Sequence, residues 1–341
     1  MTAHTSGHGT GHSTGPGTGR AAAHPHPHAA GDFAALPVIG AARLAELLDE
    51  VGAVDAIEAA LLGGLDPASA GPARTRVPVD AGELLLMPAA WGRYAAVKIA
   101  GVAPGNAAHG LPTITGGCLL LDGGTLRPLA MFDGAALTAL RTPAVSALAA
   151  RHLARPGATR LTLFGTGPQA YGHLRALAAT VPTLREVAVV GRRQEPARAL
   201  AKRAADLGVS VRLGGTADVP EADLICCCTT AEQPLFDGEL VGADATVIAV
   251  GSHTPGAREV DTALVRRATV VVEEVGAALR EAGDLLVPID EGAFSAGQIA
   301  GDLDELVSGG LILPTGRPRL FKAVGMAWQD LVVAAAAYER L

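Results

Sequence analysis

Aromatic residues are scarce in this chain of 341 residues. Phe, Trp and Tyr together make up 3% of the sequence, whereas apolar residues make up 49%. The cores must therefore consist mainly of Ala, Val and Leu, and the length leaves room for about two domains. The formal net charge is −7 at pH 7. This acidic balance argues against a nucleic-acid surface, and we expect no nucleic-acid partner.

Long apolar runs are absent as well. No stretch of about 20 apolar residues occurs in the sequence, so we expect no membrane span and no membrane partner. The first residues also lack the apolar core of a secretory signal peptide. The sequence therefore predicts a cytoplasmic protein.

Cysteine is rare, and its arrangement is typical neither of disulfides nor of a metal centre. Three of the four cysteines are adjacent, at Cys226–Cys228, and no C-x-x-C pair occurs. Adjacent residues of a strand point to opposite faces, so the three thiols cannot converge on one ion. We expect buried, reduced thiols and no metal site.

Residues 1–31 form a low-complexity tail of Gly, Thr, His, Pro and Ala. The tail has too little apolar bulk to offset the entropy lost on ordering, so we expect it to be disordered. It holds six of the ten histidines, at irregular spacing. We interpret these histidines as a source of weak, accidental metal affinity.

A glycine-rich turn is the most informative feature present. The segment from Arg160 to Ala176 reads RLTLFGTGPQAYGHLRA: a short apolar strand, the pattern G-x-G-x-x-A, and then a helix. The first glycine permits a tight turn, the second lets a diphosphate approach the backbone, and the alanine lets helix and strand pack closely. The pattern predicts a dinucleotide site that includes Gly165, Thr166, Gly167, Pro168, Gln169 and Ala170.

The end of the next predicted strand bears on the choice of cofactor. Val187–Val190 is followed by Gly191, Arg192 and Arg193, where a fold that prefers NAD usually has Asp or Glu. Guanidinium groups suit a 2′-phosphate in charge and geometry. We therefore predict NADP(H) rather than NAD(H), with a solvated helix entry as the alternative role for the two arginines.

Hydrophobic periodicity predicts an α/β fold. Six strands alternate with helices, at 161–164, 187–190, 209–213, 223–228, 245–250 and 269–273, and indicate a doubly wound parallel Rossmann sheet. An α+β unit precedes it, with helices over Ala41–Glu50 and Val54–Leu62 and strands from Arg74 to Phe132. A further helix is predicted to begin at Pro143, and the last helix, Leu320–Arg340, to return to the first unit. We predict a discontinuous substrate-binding and dimerisation domain, residues 32–145 and 316–341, around a Rossmann domain, residues 146–315.

Three cations of the first unit are candidates for substrate binding. Lys98 interrupts an apolar run, Arg141 precedes the helix predicted at Pro143, and Arg74 opens the first long strand. A lysine in a strand is usually exposed to solvent, and a buried one needs a partner. A carboxylate substrate would supply that partner, and a forked guanidinium would bind it through two hydrogen bonds.

Several segments, taken in order, resemble the ornithine cyclodeaminase/μ-crystallin family of NAD(P)-dependent enzymes. The resemblance covers nearly all of residues 36–341. It rests on LLLMPAAWGRYAAVKIAGVAPGN, GLPTITGGCLLLDGGTLRPLAMFDGAALTALRTPAVSALAARHLA, LFGTGPQA, ADLICCCTT, VIAVGSHTPGAREVD and LFKAVGMAWQDL.

The resemblance implies a homodimer that moves a hydride between the cofactor and the Cα of a small amino or imino acid. Arg74, Lys98 and Arg141 match the family positions that hold the α-carboxylate, with Arg76 left open as an alternative to Arg74. Further positions that the resemblance implies for cofactor binding are Thr142, Gly191, Thr229, Val250, Gly251, Val324, Gly325 and Met326, although strand-end and packing roles are also compatible with them.

One residue departs from the cyclodeaminase pattern. Where these enzymes carry an acidic base after the fifth strand, this chain has His253 in the sequence Gly251-Ser252-His253. Histidine is able to act as a base near neutral pH, so we count His253 and Lys98 as candidate catalytic residues. Loss of the carboxylate nevertheless favours reduction of a preformed ketimine, such as 1-pyrroline-2-carboxylate or 1-piperideine-2-carboxylate. Ornithine or lysine cyclodeamination, and non-catalytic NADPH-dependent binding of a small molecule, remain as alternatives.

Overall fold

The computed structural model describes residues 35–341. The tail that the sequence predicts to be disordered, residues 1–31, lies outside the described residues together with its histidines. The described chain folds around two sheets, one of six strands and one of eight. Within residues 35–341, no helix has both the length and the apolar character needed to cross a membrane.

The six-stranded sheet is antiparallel except for its first strand, and its spatial order is β1-β6-β5-β4-β3-β2. A turn at Asp80-Ala81-Gly82 joins two of its strands. A side chain at Gly82, where φ is +147°, would lie 2.1 Å from the Val102 carbonyl oxygen, so only glycine fits this turn. The strands are β1 (Val38–Ile39), β2 (Thr75–Val79), β3 (Gly82–Trp91), β4 (Tyr94–Val102), β5 (Ile114–Asp122) and β6 (Pro128–Asp133).

The second sheet is entirely parallel and has the spatial order β13-β12-β14-β11-β10-β7-β8-β9. Its central strands are buried apolar runs, as expected where helices cover both faces. The predicted fold class, a Rossmann sheet plus an α+β unit, is confirmed. The strands are β7 (Arg160–Phe164), β8 (Glu186–Val190), β9 (Ser210–Leu213), β10 (Leu224–Cys227), β11 (Thr246–Ala249), β12 (Thr269–Val272), β13 (Ile299–Asp302) and β14 (Arg319–Lys322).

Ten α-helices and several 3₁₀ turns connect the strands of the described chain. The helices are α1 (Ala41–Leu47), α2 (Glu50–Leu62), α3 (Gly134–Leu153), α4 (Pro168–Thr180), α5 (Gln194–Arg203), α6 (Thr262–Arg267), α7 (Val275–Glu281), α8 (Gly283–Asp290), α9 (Leu303–Val307) and α10 (Ala327–Tyr338). The 3₁₀ turns lie at Pro104–His109, Thr216–Glu221, Gly238–Leu240 and Ala296–Gln298.

Helix α3 begins nine residues before the predicted start at Pro143, so that prediction is wrong. Asp133 caps the helix and accepts hydrogen bonds from the backbone N–H groups of Ala135 and Ala136, at 2.9 and 3.0 Å. Pro143 therefore lies inside the helix. Its ring packs against Gly172 of α4, where an added Cβ would lie 2.9 Å from the proline Cγ. Close packing against α4 thus accommodates the interior proline.

The C-terminal segment is also more complex than predicted. Leu320 does not begin a helix, because residues 319–322 form β14 and pair with β11 and β12 in the eight-stranded sheet. Within the C-terminal segment, α10 is the part that packs on the six-stranded sheet, mainly against β3 and β4. Residues 316–341 are therefore shared between the two sheets, which brings residues 323–326 to the junction between them.

Candidate active site

A cleft of about 330 Å³ lies between the two sheets. One wall is the inner face of β3 and β4, and the other is formed by residues that follow β7, β10, β11 and β14. Ligands of open parallel sheets bind at this carboxyl edge. Of the predicted site residues, those lining the cleft are Arg74, Lys98, Arg141, Thr142, Gly167, Pro168, Gln169, Thr229, Val250, Gly251, His253, Val324 and Gly325.

The glycine-rich turn fits the diphosphate of a dinucleotide. Gly165 has φ +124°, and a Cβ there would lie 2.6 Å from the Cys228 carbonyl oxygen. A Cβ on Gly167 would instead meet no atom within 4 Å, so this glycine faces open space. Gly167 also caps α4 without a side-chain hydrogen bond. The N-terminal N–H groups of a 13-residue helix thus face the place where a diphosphate binds in this fold.

The remaining residues of the predicted cofactor site lie outside the cleft, most of them at the glycine-rich turn or at the end of β8. Ala170 is fully buried and lies close to Gly165. Gly191 packs against Thr166, since an added Cβ would lie 2.6 Å from the Thr166 methyl group. Arg192 and Arg193 follow at the carboxyl end of β8, and both are exposed. Met326 lines a neighbouring pocket that shares Arg74 and Gly325 with the cleft.

Lys98 is buried in the floor of the cleft and is paired with a residue that sequence reasoning missed. Its Nζ donates to Oδ1 of Asp330, on α10, at 2.7 Å and also to the Thr138 hydroxyl. Lys98 and Asp330 are 2% and 1% exposed, so the pair is almost free of solvent screening. Burial lowers the pKa of Lys98, and the Asp330 carboxylate opposes that shift. Asp330 therefore helps to keep Lys98 charged.

Arg141 lies on α3 and joins the same network. Its Nη1 donates to Gln329 Oε1 at 2.7 Å, and its Nε lies 3.4 Å from Asp330 Oδ1. That Nε has no hydrogen-bond partner among the described residues. A Cβ on Gly325, where φ is +83°, would lie 2.6 Å from Arg141 Nη1, so this glycine makes room for the guanidinium. Arg141 thus lines the cleft with its guanidinium, while its Nε is buried on the side of Asp330.

The structure distinguishes Arg74 from Arg76. Arg74 is mostly buried; its Nη2 donates to the carbonyl oxygens of Val324 and Gly325 and lies 3.1 Å from Glu281. Arg76 does not line the cleft; its Nη1 pairs with Glu83 at 2.8 Å, and its Nη2 donates to the His253 carbonyl oxygen at 3.3 Å. Arg74 is therefore the arginine that faces the cleft, and it also fixes the 324–325 backbone.

A second buried carboxylate supports the same backbone. Glu273 is 1% exposed and accepts hydrogen bonds from the N–H groups of Val324 and Gly325, at 3.2 and 2.8 Å. It also accepts from Nε2 of Gln329, whose Oε1 binds Arg141. Glu273 thus orients the amide of Gln329, and through it the guanidinium of Arg141.

His253 is half-buried and stands on a loop that a third polar network holds. The carboxylate of Glu259 accepts from the N–H groups of Thr229 and Gly251, both at 2.7 Å. Lys322 donates to the Ser252 carbonyl oxygen at 2.6 Å and pairs with Asp284.

The surroundings of His253 lower the pKa of its imidazole. Burial is the main cause, and the positive charges of Arg74 and Arg76 add to it. The imidazole is therefore uncharged near neutral pH and able to accept a hydrogen bond.

Asp330, Gln329, Glu273 and Glu259 are the polar residues that sequence reasoning missed. Glu273, Gln329 and Asp330 had a signal in the sequence, because they interrupt or end otherwise apolar segments, whereas Glu259 stands between Arg258 and Val260 in a mixed loop. A buried carboxylate needs a partner. Which cation supplies it depends on contacts between residues far apart in the chain, such as Lys98 and Asp330.

Comparisons with known proteins show relatives over most of the chain. The profile of the ornithine cyclodeaminase/mu-crystallin family matches residues 40–341. A Delta(1)-pyrroline-2-carboxylate reductase from Colwellia psychrerythraea is 38% identical over 248 residues, 70% of this chain and 77% of that protein. The ketimine reductase mu-crystallin of Rattus norvegicus is 35% identical over 292 residues, 83% of this chain and 90% of that protein.

Two solved structures also superpose on most of this chain. The Delta(1)-pyrroline-2-carboxylate reductase of Thermococcus litoralis, in complex with NADH and L-proline, superposes with a TM-score of 0.84 and 29% identity, covering 89% of this chain and 97% of that one. An archaeal alanine dehydrogenase, a dimer with bound NAD, superposes with a TM-score of 0.82 and 27% identity, covering 89% and 95%. With its profile match over residues 40–341, the chain belongs to the ornithine cyclodeaminase/mu-crystallin family.

Proposed function

We propose that this protein is an NAD(P)H-dependent oxidoreductase that transfers a hydride to the Cα of a small cyclic ketimine carrying a carboxylate. 1-Pyrroline-2-carboxylate and 1-piperideine-2-carboxylate are substrates of this kind. The observation that carries the proposal is the cleft that joins Arg74, Lys98 and Arg141 to the glycine-rich turn and to His253. The names of the two relatives, both reductases of this chemical type, support it.

The substrate carboxylate would bind on the Lys98 and Arg141 side of the cleft. Arg141 and Lys98 both line the cleft, and Arg141 donates from Nη1 to Gln329, whereas Nη2 of Arg74 is already used on the carbonyl oxygens of Val324 and Gly325. We assign the direct contacts to Arg141 and Lys98, and a supporting contact to Arg74. A fork of two N–H donors suits a planar carboxylate.

The chemistry makes modest demands on the protein. Reduced nicotinamide supplies the hydride, which adds to Cα while the C=N bond becomes a single bond. The imine arrives protonated, so its nitrogen keeps its proton and the product is the cyclic amine. His253, uncharged because its pKa is lowered, would accept a hydrogen bond from that N–H and orient the ring. Lys98 would hold positive charge near the carboxylate.

Preference for NADP(H) forms a finer part of the proposal. Arg192 and Arg193 are exposed after the end of β8, and residues 191–193 include neither Asp nor Glu. Two exposed guanidinium groups at this position favour a 2′-phosphate. The two solved relatives hold NADH and NAD, so a direct comparison of the two cofactors is required.

A homodimer is also part of the proposal. The outer face of the six-stranded sheet carries Val77, Leu84 and Ile99, which are 38%, 36% and 47% exposed. Strand pairing places Val77 opposite Leu84, and Leu86 opposite Ile99, so these residues form one continuous apolar face. Such a face is typical of an interface between subunits. The first unit would then serve both dimerisation and substrate binding.

The proposed compartment is the cytoplasm, because Cys118, Cys226, Cys227 and Cys228 are all free thiols. A reducing environment preserves unpaired cysteines.

The test is a cofactor-oxidation assay with purified full-length protein. NADPH and NADH are compared on cyclic ketimines, and on α-keto acids supplied with amines. An assay of ammonia release from ornithine with NAD⁺ or NADP⁺ runs in parallel. We expect reduction of at least one cyclic ketimine and little ornithine deamination. Robust ammonia release coupled to proline formation, without ketimine reduction, would refute the proposed reaction and favour the cyclodeaminase alternative.

A further inference from the structure

A cluster of one histidine and two cysteines lies beneath the glycine-rich turn. His173 is on α4, Cys226 is on β10, and Cys228 directly follows that strand. We propose that His173 Nε2, Cys226 Sγ and Cys228 Sγ form a binding site for one thiophilic divalent cation, with zinc as the best fit. This replaces the sequence-based expectation of no metal site.

Strand alternation brings these two cysteines together. Cys226 and Cys228 belong to one packed cluster and Cys227 to the other, so the middle cysteine faces away from the site. The sequence-based exclusion therefore applies to three adjacent thiols but not to the outer pair. The two sulfur atoms are 3.5 Å apart, and the three ligand atoms lie within 4.8 Å of one another.

The separation of the two sulfur atoms is close to that of a tetrahedral zinc site. With Zn–S near 2.3 Å and Zn–N near 2.0 Å, tetrahedral angles require S···S of about 3.8 Å and S···N of about 3.6 Å. The observed sulfur pair is within a few tenths of an ångström of that value. A disulfide would need the sulfur atoms to approach to about 2.05 Å, a much larger movement between residues two apart on a strand.

His173 has the tautomer that metal binding requires. Its Nδ1 lies 2.8 Å from the Gln169 carbonyl oxygen, which only accepts hydrogen bonds, so the ring proton is on Nδ1. Nε2 therefore carries the lone pair and accepts from the Ser146 hydroxyl at 2.9 Å. A metal-bound histidine commonly donates its other N–H to a backbone carbonyl in this way. Burial lowers the pKa of His173 to about 4, which keeps the imidazole neutral.

Charge and access favour a divalent ion. His173, Cys226 and Ser146 are fully buried, so a site with zero net charge is strongly favoured. Two thiolates and a neutral imidazole give zero charge with Zn²⁺. Burial raises the pKa of Cys228, so cation binding must displace the thiol proton. Cys228 lines the cleft and provides the entry path, and Ser146 Oγ or a water supplies the fourth ligand.

The test uses the reduced full-length protein titrated with Cd²⁺, followed by competition with Zn²⁺. Thiolate-to-cadmium charge transfer gives an ultraviolet absorption band that the histidines of residues 1–31 are unable to produce. We expect a band that saturates at one cation per chain and is displaced by Zn²⁺. Its absence from the wild-type protein would overturn the proposal without any variant.

Variants then locate the site. Cys226→Ser and Cys228→Ser should each lose the band, and His173→Gln should weaken Cd²⁺ binding by roughly tenfold or more. Cys227→Ser is the matched control, because it removes the thiol between the two ligands on the opposite face, and it should keep the band. A band that survives in the Cys226→Ser/Cys228→Ser double variant, or that disappears with Cys227→Ser in a folded protein, contradicts the assignment.

Discussion

Replacement of Asp330 by Asn tests the central charge arrangement of the cleft. Asp330 Oδ1 lies 2.7 Å from Lys98 Nζ and 3.4 Å from Arg141 Nε, and all three side chains are buried. At an effective dielectric constant of 20, a pair at this distance interacts by about 6 kcal/mol. Much of that energy offsets desolvation, and removal of one partner from a buried pair usually costs about 3–5 kcal/mol. We expect Asp330→Asn to lower the free energy of unfolding by about that amount.

The substitution should also move the pH profile. Burial lowers the pKa of Lys98 and Asp330 raises it, so loss of the carboxylate lowers this pKa further. Lys98 then loses its proton at a lower pH, and the alkaline limb of kcat/KM shifts towards neutrality. Urea unfolding followed by tryptophan fluorescence measures the stability effect, because Trp91 and Trp328 are the only two tryptophans and both lie in the unit that contains Asp330.

Asp223→Asn is the control for this experiment. Asp223 is 3% exposed, pairs with Arg155 and precedes β10, at the edge of the sheet opposite the cleft. Its replacement should lower the thermal stability, measured by circular dichroism, and leave the alkaline limb unchanged. An Asp330→Asn enzyme with an unshifted alkaline limb would refute the argument that Asp330 keeps Lys98 charged.

Four further changes test other parts of the molecule. Arg192→Ala/Arg193→Ala should weaken NADPH binding more than NADH binding, by roughly 1–3 kcal/mol in titrations of the two cofactors; equal losses contradict the preference. Arg141→Lys should impair ketimine reduction although the charge is kept, and Arg141→Ala should raise KM for the ketimine while the Kd for NADPH stays nearly constant. His253→Ala should leave substantial ketimine reduction, whereas His253→Asp should raise ammonia release from ornithine above the wild-type level; a roughly 10²–10⁴-fold loss of reduction in His253→Ala would instead make it a general base or acid. Because the pKa of His173 is lowered from 6.5 to about 4, the unfolded chain binds a proton first as the pH falls through this window, and stability should drop by roughly 3 kcal/mol between pH 7 and 4. Urea unfolding of His173→Gln should lack that part of the pH dependence.

Local sequence patterns predicted those parts of the fold that local interactions determine. The six strands predicted for the nucleotide sheet are all present, because each is a short apolar run between turns. The glycine-rich turn was recognisable because only glycine tolerates φ of +124° beside the Cys228 carbonyl oxygen. By contrast, the sequence pattern predicts the start of a helix where β14 lies, because an alanine-rich segment follows its four residues. The strands that pair with β14 are β11 and β12, which are distant in sequence.

The protein partners of the cleft cations were also not predictable from local sequence, because they lie far away in the chain. Lys98 and Asp330 are 232 residues apart in the chain. The sequence indicated that a buried lysine needs an anion, and the prediction assigned that role to the substrate. The structure shows that the protein already provides one.

The charge balance of the cleft changes how substrate recognition should be understood. Arg74 is paired with Glu281, and both Lys98 and Arg141 are paired with Asp330. Protein carboxylates therefore balance the positive charges of the cleft, and charge alone does not attract every anion. We expect recognition to depend instead on donors that the existing pairs hold in place, such as the Arg141 guanidinium at the cleft wall. Donors fixed in this way discriminate by geometry, because a ligand gains only where its acceptors coincide with them. A flexible ammonium group in place of the Arg141 guanidinium would keep the charge and lose that geometry.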